Sequence, residues 1–378
     1  MITAAISLGY HDASITVLKN NKIDVFVQEE RLNRIKYSAI LDVSFVKILK
    51  KYKKIDQLIF CNISIKKTFS FSNNIQEVIT NFLNNLNDNQ INIKQIIMET
   101  KNHHLFHACS AFYLSGFKEA ISLVIDGFGS EINIFNNYFS ETTSIYKCSY
   151  PNKIIPLYKK VYDINQTLNS NNLFLEEKNK EFDLNISHSY DIGAMFMIGS
   201  EYLNFRQLDC GKTMGLASYG KKSKKIPNLL HQYGANMNIF TNNRTIHLKN
   251  NKYFKDNSFK FKANFAFALQ KALEKIFIKN IKYILSKTKT KNIVFSGGCA
   301  LNVLGNSVIK KKFNDLNFFV DPIAKDSGLS LGAALYYYYN KTKSNTLFKF
   351  DSIYLGPKYK TLEIKKNIKT WITKNAAQ

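Results

Sequence analysis

The sequence predicts an α/β protein in which one plan is used twice, giving two lobes of mixed sheet with flanking helices. Three observations predict it. A strand, a short polar turn and a hairpin follow one another at the N-terminus. Strand, glycine turn and further strands recur roughly 115 residues later, and an internal repeat is weighed before any local reading. Helical stretches at 190–203 and 264–286 then stand beside a further strand and glycine turn, the composition of an α/β chain.

Ile2 to Gly9 reads as the first strand and Tyr10-His11-Asp12 as the turn after it. Ala13–Leu18 and Ile23–Glu29 are rich in β-branched residues and join across a turn at 19–22 as a hairpin. The polar run Glu29–Lys36 follows, then helical periodicity over 43–51. Ala120–Ile125 is a strand, Asp126–Ser130 a tight turn, and Glu131–Phe135 and Ser144–Cys148 the next strands. Residues 165–190 are rich in Asn, Glu and Lys and predict a surface excursion. Two glycine-marked turns are expected, at Lys212–Gly220 and Ser296–Asn302. The second lies between the strand Asn292–Phe295 and a helix. Such a junction can cradle a phosphate, because backbone N–H groups and the helix N-terminus face the anion. A Gly-Gly pair serves equally as a tight turn.

The 378 residues suffice for two or three packed lobes, and 45% apolar content supplies a large core. No apolar run is long enough for a membrane span, and the first residues read as a strand rather than a signal peptide. Five scattered cysteines without a CxxC pair suit reduced thiols and a cytoplasmic setting. The net charge of +25 is spread along a Lys-, Asn- and Ile-rich chain instead of gathered in a block. It therefore reads as a solvated surface, which argues against nucleic acid as the partner while favouring small anions.

Three of the seven histidines fall within His103-His104-Leu105-Phe106-His107, at the start of an expected helix. On a helix, His103 and His107 at i and i+4 point the same way, which makes half of a metal site. A polar helix start is the alternative. No Glu follows the first histidine, so the general base of the zinc-protease pattern is missing.

Eight segments in order resemble one family. They are Gly9–Ser14, Glu29–Lys36, His103–Ala108, Asp126–Gly129, Gly211–Gly220, Gly297–Asn302, Asp321–Gly328 and Leu329–Leu335. Together they resemble the O-carbamoyltransferases that include nodulation protein U and the cephalosporin and tobramycin carbamoyltransferases, over residues 2 to about 340. The N-terminal domain of that family is similar to the tRNA threonylcarbamoyl-adenosine synthase, of the actin-like fold shared with sugar kinases and heat-shock ATPases. The resemblance implies duplicated actin-like lobes over residues 1–345, the second beginning near 115. It implies a divalent metal, Fe first and Zn or Mn as alternatives, on His103, His107, Asp126 and Asp326. The adenylate would lie against Gly127, Gly129, Lys212, Gly215, Gly297, Gly298 and Asn302. Lys212 is equally a surface lysine and Asn302 equally a helix cap. His11 is the candidate base, because an imidazole titrates in the useful range, with Asp12 orienting it.

The implied reaction makes carbamoyl adenylate from carbamoyl phosphate and ATP, then moves the carbamoyl group to a hydroxyl of a small-molecule or sugar acceptor. The family makes the adenylate in a C-terminal domain of about 200 further residues. Here residues 346–378, with Ile353–Lys360, look like only its opening. The chain alone is therefore expected to lack the activation step, with three explanations open: a truncated gene, a second domain on a separate polypeptide, or a protein that no longer completes the reaction. The resemblance also makes a homodimer a possible state, with the oligomeric state left open. Two alternatives remain at this point: a tRNA threonylcarbamoyl transferase, and a non-catalytic remnant that binds metal and nucleotide.

Overall fold

The structure, a computed structural model, describes residues 1–39, 41, 43–63, 75–134, 137–163, 174–178, 182–187, 189–231, 234–236, 240, 256–350, 352 and 360–375. Its first sheet contains β1 (Ile2–Ser7), β2 (Ser14–Lys19), β3 (Lys22–Gln28), β4 (Gln57–Cys61) and β5 (Ile96–Met98). The order is β3-β2-β1-β4-β5. The first three strands form an antiparallel meander, and β4 and β5 run parallel to β1.

The second sheet contains β6 (Glu119–Ile125), β7 (Glu131–Ile134), β8 (Asn137–Ser149), β9 (Lys153–Asp163), β10 (Phe174–Lys178), β11 (Asp183–Ser187), β12 (Asn292–Ser296) and β13 (Asn317–Val320). Its central order β9-β8-β6-β12-β13 repeats the first sheet: an antiparallel meander, then two strands parallel to the first. The duplication read from the sequence is thus present strand for strand, and the fold is actin-like. β7, β10 and β11 are additions at the meander side.

The helices are α1 (Glu29–Asn33), α2 (Val43–Leu49), α3 (Ile75–Asp88), α4 (His103–Ser115), α5 (Ile192–Tyr202), α6 (Cys210–Ala217), α7 (Phe259–Lys287), α8 (Val303–Lys312), α9 (Gly328–Thr342) and α10 (Thr361–Asn375). Alternation along the strands sorts them into layers. Ala4, Ile6, Leu58 and Phe60 face Phe45, Ile79, Phe82 and Leu86 of α2 and α3. Leu123, Ile125, Ile293 and Phe295 face Phe265, Leu269 and Phe277 of α7. The other faces share one cluster, in which Ala5, Ile59, Val124 and Val294 meet α4 and α9. Two helices buried on all sides therefore form a middle layer between the sheets, which explains why α4 lacks the one-sided apolar pattern of a surface helix.

Two expectations change. Lys212–Gly220 is largely the helix α6, not a turn. Gly211 and Gly215 face open space there, so neither serves a close approach or a special dihedral, and buried Thr213 and Ala217 anchor the helix. Within the expected excursion, Asp183–Ser187 is a sheet strand, since Leu184 and Ile186 pack against Phe139 and Val161. Residues 164–173, 179–181 and 188 of that excursion, and 353–359 of the expected second-domain opening, lie outside the described residues. Among the described residues no helix is long and apolar enough to cross a membrane.

Candidate active site

Parallel strands of both sheets end towards the same place. Beyond β1 comes His11, beyond β4 Asn62, beyond β6 Asp126, beyond β12 Gly297 and Gly298, and beyond β13 Asp321 and Asp326. Ligands of open α/β sheets bind beyond the carboxyl ends of the strands. The first turn of α4 enters at this level. Asn102 precedes it in a left-handed conformation (φ 79°), and the His103 and His107 rings meet edge-on one turn apart, with centroids 4.9 Å apart.

His103, His107, Asp126 and Asp326 converge, each offering one ligand atom within 4.8 Å of the others. His103 Nε2 lies 3.3 Å from Asp126 and 3.7 Å from Asp326, and His107 Nε2 lies 3.2 and 3.6 Å from the same carboxylates. Four ligands about 2.1 Å from one ion would be about 3.4 Å apart, so the set has the spacing of a first coordination sphere.

The hydrogen bonding agrees. Ser296 Oγ donates to Asp321 at 2.8 Å, so its lone pairs face His107 Nδ1 at 3.3 Å. His107 Nδ1 then carries the ring proton and Nε2 a lone pair. That Nε2 is buried and makes no aligned hydrogen bond despite two carboxylates beside it. A lone pair facing carboxylates is a donor set that fits a cation. Two imidazoles and two carboxylates suit a borderline divalent ion.

Without such an ion the cluster holds protons instead. Burial alone would lower the pKa of His107, but hydrogen bonds and charge from Asp126 and Asp326 raise it to about 9. Burial would raise Asp126, yet the two imidazoles hold its carboxyl well below the usual range. The neighbouring His104 behaves oppositely. Burial pushes its pKa down to about 4, and its Nδ1 pairs with Ser144 at 2.7 Å.

The other residues singled out in the sequence divide in two. His11 lies at this centre, with Nδ1 2.9 Å from Asp12 and Nε2 3.9 Å from Asp326. Burial lowers its pKa, but Asp326 and Asp12 together raise it to about 9. Asp12 is itself left-handed (φ 58°) and also meets Lys325 at 3.3 Å. Gly127 donates its N–H to Asp126 at 2.7 Å, and a Cβ on Gly298 would lie 3.0 Å from the same carboxylate. Gly297 has φ +87°, and a Cβ there would lie 2.4 Å from the carbonyl of Ile125, so the turn requires glycine. Gly129 lies one residue beyond Phe128 in the same loop, against the His104 ring.

Lys212 and Gly215 lie on the exposed side of α6, where Lys212 pairs with Asp209 at 2.8 Å. Asn302 is a helix cap: its side chain accepts from Gly305 N at 2.8 Å and exchanges hydrogen bonds with Gln270. Its Oδ1 takes both donors, Gly305 N and Gln270 Nε2, and its Nδ2 gives one hydrogen to Gln270 Oε1.

Sequence reading quoted Ser296 and Asp321 within its segments without giving either a role, and passed over Asn62, whose Oδ1 lies 2.9 Å from His103 Nδ1. It also passed over a charged bridge in which Lys36 Nζ and the Tyr37 hydroxyl reach Asp209 at 2.8 and 2.9 Å. Only spatial proximity identifies these residues.

Known proteins place this site in context. Nodulation protein NolNO of Sinorhizobium fredii is 23% identical over 372 residues, covering 92% of this chain and 49% of its own. The protein MJ1051 of Methanocaldococcus jannaschii is 26% identical over 347 residues, covering 86% of this chain and 55% of its own. The chain thus spans about half the length of the curated relatives it matches. Full-length HypF, solved with phosphate and nucleotide bound, has the same fold at a TM-score of 0.50 and 12% identity, covering 92% of this chain and 56% of HypF. The family described as "Carbamoyltransferase N-terminus" matches residues 67–335, which hold all four converging ligands, and the chain belongs to that family.

Proposed function

We propose that these residues carry the transfer half of an O-carbamoyltransferase: a carbamoyl group passes from carbamoyl adenylate to a hydroxyl of a small-molecule or sugar acceptor. The observation that carries the reading is the buried His103, His107, Asp126 and Asp326 set in a chain of this family. These four would hold a divalent cation, Fe first and Zn or Mn as alternatives. Bound there, the cation supplies positive charge against the oxygen of the transferring carbonyl and offsets the carboxylate charge that raises His11.

The chain's own residues do the rest. Gly127, Gly129, Gly297 and Gly298 line the carboxylate with backbone and leave room for the donor. Lys212 and Gly215 on α6 would meet its phosphate or nucleoside. His11 Nδ1–H donates to Asp12 at 2.9 Å, which leaves Nε2, on the Asp326 side, as the base. In the transfer the acceptor oxygen bonds to the carbamoyl carbon, the bond from that carbon to the adenylate oxygen breaks, the hydroxyl proton goes to His11 Nε2, and AMP leaves. Only this step is assigned to these residues; carbamoyl adenylate would be made from carbamoyl phosphate and ATP by a second domain or a separate polypeptide.

The test is metal content together with AMP binding, compared between the parent and His107→Ala. The expected result is a divalent metal that copurifies with the parent and is lost from the variant, with AMP binding weakened alongside. A metal-free parent, and a variant that binds AMP unchanged, would make the histidine pair structural and the chain a non-catalytic remnant.

A further inference from the structure

We infer that Asn62 is a positioning residue that fixes which nitrogen of His103 faces the centre. The inference rests on the metal reading above and concerns a residue outside the four ligands. Asn62 directly follows β4 in a left-handed conformation (φ 58°), which Asn tolerates better than most residues. Its backbone carbonyl accepts from Gly9 N at 3.0 Å. Gly9 also makes room for the side chain, since a Cβ there would lie 2.1 Å from Asn62 Nδ2. The loops after β1 and β4 therefore hold this amide in place.

The orientation of the amide follows from its neighbours. On one side lies Asp326 Oδ2, an acceptor only, 3.5 Å from Nδ2. On the other lies His103 Nδ1, 2.9 Å from Oδ1. An amide donates from nitrogen and accepts on oxygen, so with Nδ2 towards the carboxylate, Oδ1 accepts from the ring. His103 Nδ1 therefore carries the proton, and Nε2 presents a lone pair towards Asp126 and Asp326. Ser296 does the same for His107. Two histidines on one helix are set in one tautomer by partners from different sheets, Asn62 from the first and Ser296 from the second. Outer partners of this kind raise ligand basicity and set ring orientation, and their loss costs about 10- to 100-fold in metal affinity.

The experiment is competition for Co(II) against a chromogenic chelator, with thermal unfolding of the metal-free proteins alongside. Asn62→Gly keeps the left-handed backbone and removes both side-chain contacts. Asn62→Asp keeps an acceptor for His103 and removes the donor to Asp326. Asn62→Gly is expected to bind Co(II) about 10- to 100-fold more weakly than the parent with its metal-free unfolding temperature little changed. Asn62→Asp is expected to stay within about threefold of the parent or bind more tightly, because a carboxylate also holds the ring proton. Parent-like affinity in Asn62→Gly overturns the inference, and so does a loss of about tenfold or more in Asn62→Asp, whether or not Asn62→Gly folds. A parent that takes up no Co(II) is a different failure, because it overturns the metal centre itself.

Discussion

Asp126, half-buried, and Asp191, buried, are carboxylates each at the N-terminal side of a glycine or helix turn, yet their surroundings differ in kind. Asp191 caps α5. It accepts from Ile192 N at 2.8 Å and from the hydroxyls of Thr142 and Thr143 at 3.1 and 2.8 Å, and Lys160 Nζ lies 3.3 Å away. Burial would raise its pKa, but Lys160 and these donors hold it below the usual range. The protein supplies both its hydrogen bonds and its cation. Asp126 receives one amide, and its other oxygen faces two imidazole nitrogens that a neighbouring amide and hydroxyl have set as lone-pair carriers. A carboxylate with its own lysine reads as structural, whereas one met only by lone pairs reads as a candidate ligand.

Mutating the two aspartates should separate them sharply. Structural divalent ions contribute about 10–16 kcal/mol over four ligands, so losing one ligand costs about 3–4 kcal/mol. Asp126→Asn should therefore weaken metal binding by about 100- to 1,000-fold in chelator competition, while unfolding in chelator shows a metal-free protein as stable as the parent or more so. Asp191→Asn should do the reverse: it leaves Lys160 buried beside a neutral group, at a cost of about 3 kcal/mol in urea unfolding, and keeps metal affinity. Equal metal loss in both variants would erase the distinction.

A smaller effect sharpens it. Metal at about 100 times the parent's dissociation constant should add about 2.7 kcal/mol to the parent and Asp191→Asn alike, and about 0.4 kcal/mol or less to Asp126→Asn, as calorimetry with and without chelator would show. The smallest effect concerns Glu141, whose carboxylate pairs with Lys159 at 2.5 Å. Burial would raise its pKa, but Lys159 and His104 hold it below 4.5. A depressed folded pKa gives stability that is present above the unfolded value and lost as pH falls through the folded one. Glu141→Gln should thus flatten the acid limb of a stability–pH profile below about pH 4.5 and leave the limb above neutrality unchanged; an unaltered acid limb would show that the pair contributes nothing.

Much of this was legible in the chain. The repeat of strand, turn and hairpin gave the duplicated sheets, because alternation and β-branching act locally. The spacing of His103 and His107 gave a shared helix face, and the ordered motifs supplied Asp126 and Asp326. Context decided the remainder. Lys212–Gly220 carries two glycines that suggest a turn, but packing against α7 through Thr213 and Ala217 favours a helix. Asn302 was readable as a cap or a ligand, and the structure shows the cap, with Gln270 beside it. Asn62 is one of many asparagines, and nothing in its neighbours marks it until β1 and β4 bring it against His103.

The middle layer has a mechanical consequence. α4 carries two of the ligands, the end of β6 carries the third, and the loop leading into α9 carries the fourth. An ion held by all four would tie residue 103 to residue 326 and pin both sheets to the helices between them. It would act as a reversible cross-link of the folded state, stabilising it by mass action and not, as a disulfide does, by constraining the unfolded chain. Gaining or losing that ion would therefore change how freely the two halves of the molecule can part.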